Sequence, residues 1–207
     1  MKKVFFMKTE KVIVFSMLFF SFTTSAIAQE TKKDYSIITT TQDTAWWKFE
    51  NGLLIITGKG EIPDYDNMIR TARPLTPWRS YRLLITSVNI EDGITKIGNA
   101  AFSGCKNLTS INIPESVESI GANAFYGCEN LTSVIIPDKI SSLETGVFAR
   151  CKKLAVVEVK NPVPPKNEVV TFFQVPVKNA KLIVPAGTKI TYAETEVWKN
   201  FGIIEER

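Results

Sequence analysis

The amino-acid sequence predicts an α/β solenoid, β-rich with short helical turns, and three observations carry that expectation. Residues 98–114 recur closely at 121–137 and, with more substitutions, at 144–160, each copy offset by 23 residues. Phe102, Phe125 and Phe148 fall in register, as do Cys105, Cys128 and Cys151, and Leu108, Leu131 and Leu154. The first two copies hold a short alternating stretch closed by a proline, Pro114 or Pro137. Self-similarity at a fixed period of about 20–50 residues marks stacked repeats.

Each element of the repeat has a physical reason. Ile111 and Ile113 share one side of a strand and Asn112 takes the other, the period of two of extended chain. Pro114 has no N–H to give a ladder, so the strand should stop there. Val117 and Ile120 return apolar groups to the core on the far side. Residues 121–128 then read as a turn followed by tight helical turns that drop Ala124 and Phe125 inward. No copy has a second layer of its own. Only stacking buries its apolar set, with parallel strands about 4.8 Å apart.

In chain order, residues 1–28 read as a secretory signal peptide. Lys2, Lys3, Lys8 and Lys11 precede an apolar run over 12–22, and Ala26-Ile27-Ala28 offers small residues for cleavage before Gln29. The run is much shorter than the roughly 20 residues that span a bilayer. Residues 29–45, rich in Thr and Lys and without a period, read as a flexible tether. Residues 46–86 are expected to form an N-terminal hairpin cap and loop. Trp46 to Phe49 and Leu53 to Ile56 flank Glu50-Asn51-Gly52, a hairpin signal, and these aromatics with Trp78 read as the core of the cap, with a ligand-stacking platform as the alternative. The irregular stretch 62–82 carries Pro63, Pro74 and Pro77 with Arg70, Arg73, Arg79 and Arg82, and is a second candidate contact surface.

The repeat array is expected over 87–185. Val88 and Ile90 match Ile111 and Ile113; residues 169–177 should pack over the last coil; Leu182 to Val184, closed by Pro185, reads as a fifth strand. Residues 186–207 form the expected C-terminal cap, with a helix over 191–201 whose inner face holds Tyr192, Val197, Trp198 and Phe201.

Ile97-Gly98 and Ile120-Gly121, followed by Ala-Phe, Cys, Leu, a short strand and Pro, resemble the BspA-like leucine-rich repeats of bacterial secreted and surface proteins. Residues 52–65, Pro77-Trp78 and 91–98 are similar to the segment that leads into such arrays, so the resemblance covers about 46–207. It implies a leucine-rich repeat fold and an extracellular protein associated with adhesion and host contact. It implies no shared catalytic site.

Composition narrows the chemistry. Residues 1–28 hold four of the 25 basic and one of the 21 acidic residues, so their removal takes the net charge from +4 to about +1. No basic patch with interleaved aromatics remains, and nucleic acid is not an expected partner. The chain has no histidine, which removes His-based triads and the usual catalytic zinc sites. No phosphate-binding glycine loop or EF-hand loop occurs. No enzyme, metal or cofactor is therefore expected. The three cysteines, one above another in successive coils, read as small buried hydrophobes rather than disulfides.

The expected function is binding. Parallel strands in constant register turn single positions into surface columns. One column is Asn89, Asn112, Ile135 and Glu158; its neighbour is Thr86, Thr109, Thr132 and Ala155. These are the candidate ligand face, for a protein or glycan of a host or bacterial surface. A structural component of the cell envelope is the alternative. With the signal removed, the protein would be secreted, surface-exposed or periplasmic, with no membrane span.

Overall fold

A computed structural model of the chain describes residues 35–38, 44–65, 75–167 and 169–207. The expected signal peptide lies outside them, as do Arg70 and Arg73. The described residues open with three antiparallel strands, β1 (Tyr35–Ile38), β2 (Thr44–Glu50) and β3 (Leu53–Gly58). Asn51 and Gly52 both take positive φ, 49° and 84°, the backbone of a two-residue hairpin that Asn-Gly favours. The expectation of a flexible tether over 29–45 fails where β1 forms, with Ser36 opposite Trp46 and Ile37 opposite Ala45. The outer edge of β2 offers unpaired N–H and C=O groups, and an adjacent extended segment satisfies them.

After β4 (Gly60–Ile62), the chain winds as a solenoid with two parallel strand flanks. The first flank continues from β3 through β5 (Ser87–Ile90). The second pairs β4 with β6 (Ile94–Ile97). The next coil adds β7 (Ser110–Asn112) to the first flank and β8 (Ser119–Ile120) to the second. The first flank resumes with β9 (Ser133–Ile136), β10 (Val156–Val159) and β11 (Lys181–Val184). β9 and β11 stop one residue before Pro137 and Pro185, as a missing N–H requires. The second flank tapers to one bridge, Ser142 to Lys166.

The third flank is made of turns. Within a coil, Ala124 N–H donates to Gly121 O (3.2 Å) and Cys128 N–H to Phe125 O (3.2 Å), so the expected tight turns form without a continuous helix. Between coils, alternate N–H groups reach forward: Phe102 to Ala124 O (2.8 Å), Phe125 to Val147 O (3.0 Å), Phe148 to Thr171 O (3.0 Å). Segment 169–177 therefore does not lie over the last coil. It supplies the turn flank of a coil, with Phe172 buried.

The register of Phe102, Phe125 and Phe148 becomes a stack of rings. Successive centroids are 5.5 Å apart and nearly parallel, at 8° and 5°. Trp78 extends the stack at 5.6 Å upstream and Phe172 at 5.7 Å downstream. The buried indole N–H of Trp78 donates to Ala101 O (2.9 Å). Beyond Phe172 the rings turn edge-on, with Phe201 at 88°.

The C-terminal helix expected over 191–201 is shorter and earlier. α1 spans Lys189–Glu194 and stops where the Thr195 backbone turns extended, at ψ 135°; Val197 follows at φ 72°. Tyr192, Trp198 and Phe201 are buried as expected. The chain then returns to the first flank as β12 (Ile203–Glu206), parallel to β11.

Cys105, Cys128 and Cys151 are free and buried. The thiols of Cys128 and Cys151 donate to Phe102 O (3.3 Å) and Phe125 O (3.2 Å) of the preceding coil. Burial pushes the Cys105 thiol from 9.0 up to about 12, opposed by the Arg82 charge. It pushes Cys151 up to about 12 as well. Unfolded thiols lose their protons first, so this stabilisation is complete below pH 9 and lost between about 9 and 12. Each of these thiols should withdraw about 1.4 kcal/mol per pH unit in that window. Replacing Cys105 and Cys151 with alanine should flatten the alkaline fall in melting temperature. At pH 8 the native protein should resist iodoacetamide until denaturant is added; prompt native labelling would mean the thiols are accessible.

Candidate binding face

Along β3, β5, β9, β10 and β11 of the first flank, buried residues alternate with outward ones. Leu54 and Ile56, Val88 and Ile90, Val134 and Ile136, and Val157 and Val159 all face the core. The positions between them face out, and strand register aligns them. Lys48 lies opposite Ile55, Ile55 opposite Asn89, and Asn89 opposite Asn112. In the second run of strands, Ile135 lies opposite Glu158, Glu158 opposite Ile183, and Ile183 opposite Glu205. β7 and β9 belong to separate sheets, yet Thr132 N–H still donates to Thr109 O (3.3 Å) between them.

The structure places the expected residues on one face but changes what they offer. The Thr109 hydroxyl donates to Thr86 O (2.9 Å), that of Thr132 to Thr109 O (3.3 Å), and that of Thr86 to Gly52 O (3.2 Å). The column ties each coil to the one before, which leaves its hydroxyls only acceptor capacity on the outward side. Asn112 Nδ2 donates to Asn89 Oδ1 (3.0 Å) and Ile90 O (3.1 Å), leaving Asn112 Oδ1 and the Asn89 amide outward. Ile135 is 45% exposed between these amides and Glu158. Glu158 accepts from Arg207 Nη1 (3.4 Å).

Trp46, expected in the core of the cap, lies on the outward face instead. Trp47 is buried and packs edge-on against Trp78, as core should, whereas Trp46 is 47% exposed. Trp46, Lys48, Ile55, Thr57 and Glu91 line an open depression of about 410 Å³. Strict alternation was the available signal, since two adjacent tryptophans on a strand cannot both face inward. Of the loop over 62–82, Arg79 is half-buried and Arg82 exposed, its Nη1 donating to Arg79 O (3.3 Å). Among the described residues no group of three or more His, Cys, Asp or Glu could hold a metal ion, and no helix is long and apolar enough to cross a membrane.

Parallel strands stacked coil on coil around a ladder of like side chains define a leucine-rich repeat solenoid. The sequence profile of the BspA type leucine-rich repeat region matches residues 80–183 in six copies. The chain belongs to that family. Among solved structures, a leucine-rich repeat protein from Eubacterium ventriosum is 23% identical with a TM-score of 0.47, aligned over 84% of this chain and 44% of its own. The leucine-rich repeat protein of T. pallidum is 21% identical with a TM-score of 0.48, over 74% of each chain. A leucine rich cell surface protein from Faecalibacterium prausnitzii is 18% identical with a TM-score of 0.35, over 86% of this chain and 56% of its own. This chain thus spans less than half the length of the Eubacterium protein. No curated protein matches it significantly.

Proposed function

We propose that the protein is a secreted or surface-exposed binding module of the adhesin type, which takes up a protein or glycan on its strand face without catalysis. The observation that supports this most is the alignment of outward positions across successive strands, with Thr86, Thr109 and Thr132 beside Asn89, Asn112, Ile135 and Glu158. Export follows from the signal-like character of residues 1–28. On this reading the coils repeat every 23 residues, and two caps close them. Trp47 and Trp78 serve one end; Tyr192, Trp198 and Phe201 serve the other.

The test is a screen of the purified protein against glycan and matrix-protein arrays, repeated with Asn112 and Ile135 both changed to lysine. Saturable binding should appear in the wild type and be lost in the double variant. Both positions are exposed, so the melting temperature should fall by no more than about 4 °C, the equivalent of about 1 kcal/mol. A double variant that keeps wild-type affinity would remove the strand face from consideration. The loop over 62–82 would then take its place.

A further inference from the structure

We propose that the β2–β3 end of the strand face is a sugar subsite, seating one residue of a neutral, β-linked polysaccharide on the open face of Trp46. This rests on the strand-face reading and names its ligand class. The depression holds a half-exposed indole with an ammonium (Lys48), a hydroxyl (Thr57) and a carboxylate (Glu91) around it. Strand pairing puts Trp46 opposite Thr57, and Glu91 N–H donates to Ile56 O (2.9 Å), which brings Glu91 beside them. Neither Lys48 nor Glu91 joins an ion pair among the described residues. Two charged groups beside an exposed aromatic ring therefore have their hydrogen-bonding capacity turned outward.

The chemistry of that set selects among ligands. The negative face of an indole attracts weakly positive C–H groups. The flat face of a β-linked pyranose presents such groups, while its equatorial hydroxyls project sideways as both donors and acceptors. An ammonium along the strand (Lys48) and a carboxylate across the sheet (Glu91) serve those two roles. A polyanionic chain would meet Glu91 here and Glu158 and Glu205 further along the same face. Spacing selects next. Positions along the row repeat at the strand separation of about 4.8 Å, whereas an extended peptide advances about 3.4 Å per residue. An extended β-linked glycan advances by close to one strand separation per sugar, so a chain lying across the strands from Trp46 passes Thr57 and Glu91, with the row of Lys48, Ile55, Asn89 and Asn112 running alongside it.

Titration of the protein with a β-1,4-linked glucose hexamer, followed by tryptophan fluorescence and calorimetry, tests this. Saturable binding is expected for the β-linked hexamer, with the curved α-1,4-linked hexamer bound more weakly. Trp46→Ala should weaken binding at least about tenfold, Trp46→Phe much less, as loss and retention of an aromatic stack require. Lys48→Ala combined with Glu91→Gln should weaken it with an unchanged melting temperature. No saturable binding of the β-linked hexamer, equal binding of the α-linked one, or wild-type affinity in Trp46→Ala would overturn the proposal. Should the arrays find a protein ligand that needs Asn112 and Ile135 but not Trp46, the strand face stands and the sugar subsite falls. Indifference to both sets of changes would remove both.

Discussion

Replacing Phe125 with alanine should cost the protein about 3–5 kcal/mol, the range for truncating a fully buried aromatic side chain. The ring is wholly buried and lies between Phe102 and Phe148, 5.5 Å from each. Its neighbours cannot move in to fill the space. Phe102 N–H is tied to Ala124 O and Phe125 N–H to Val147 O, so the backbone holds the coils apart while the side chain is missing. The cavity therefore persists, along with two lost ring contacts. Asn112→Ala is the control: the residue is exposed and loses only its bonds to Asn89 and Ile90, about 1 kcal/mol at most. Urea titrations of the two variants give the comparison directly. Equal losses would show that the ring stack is not the core of the array.

Gly121→Ala should cost about 3 kcal/mol or more, above the usual range for overpacking. A Cβ at this position would sit 2.4 Å from Asn99 Oδ1, 2.6 Å from Asn99 N and 2.9 Å from Gly98 C. Two of those atoms are backbone of the preceding coil, and the third accepts from Ala122 N–H (2.7 Å). Accommodation means pushing successive coils apart. Gly98 makes the same close approach one coil earlier, where a Cβ would lie 2.1 Å from Pro63 O. Gly127 is the contrasting case, with φ at 71° and nothing near a Cβ. Gly127→Ala should cost only the left-handed backbone strain, roughly 1 kcal/mol. Chemical denaturation that ranked the two variants the other way would sink this account of the Ile-Gly pair.

Periodicity made the inner architecture legible. A position that must fill the same slot in every coil repeats, which is why the Phe, Cys and Leu registers could be read directly and proved buried. Strand ends were legible through Pro137 and Pro185, since a missing donor acts locally. What escaped depends on backbone partners that carry no side-chain period. β1 forms because β2 has an open edge, β8 is only two residues long, and β12 is an unrepeated segment. The short C-terminal helix escaped because its apolar spacing continues through Val197, whose backbone has already left the helix. At the candidate face, spacing located the Thr and Asn columns correctly but could not reveal where their donors go. Hydrogen-bond direction is a property of the neighbouring coil, not of the residue.

The 23-residue offset shared by two successive joints also makes this part of the array a ruler. Thr86 to Thr109 and Thr109 to Thr132 are interchangeable joints, each spanning 23 residues and each closed by the same hydroxyl-to-carbonyl bond. Excising or duplicating one such unit would leave every joint with a partner of the right kind. The length of the face then changes only in whole steps of one strand separation, about 4.8 Å. Gene slippage over a repeated segment would thus lengthen or shorten reach without redesigning chemistry, whereas a deletion that slips a strand by one residue would turn its inward residues out.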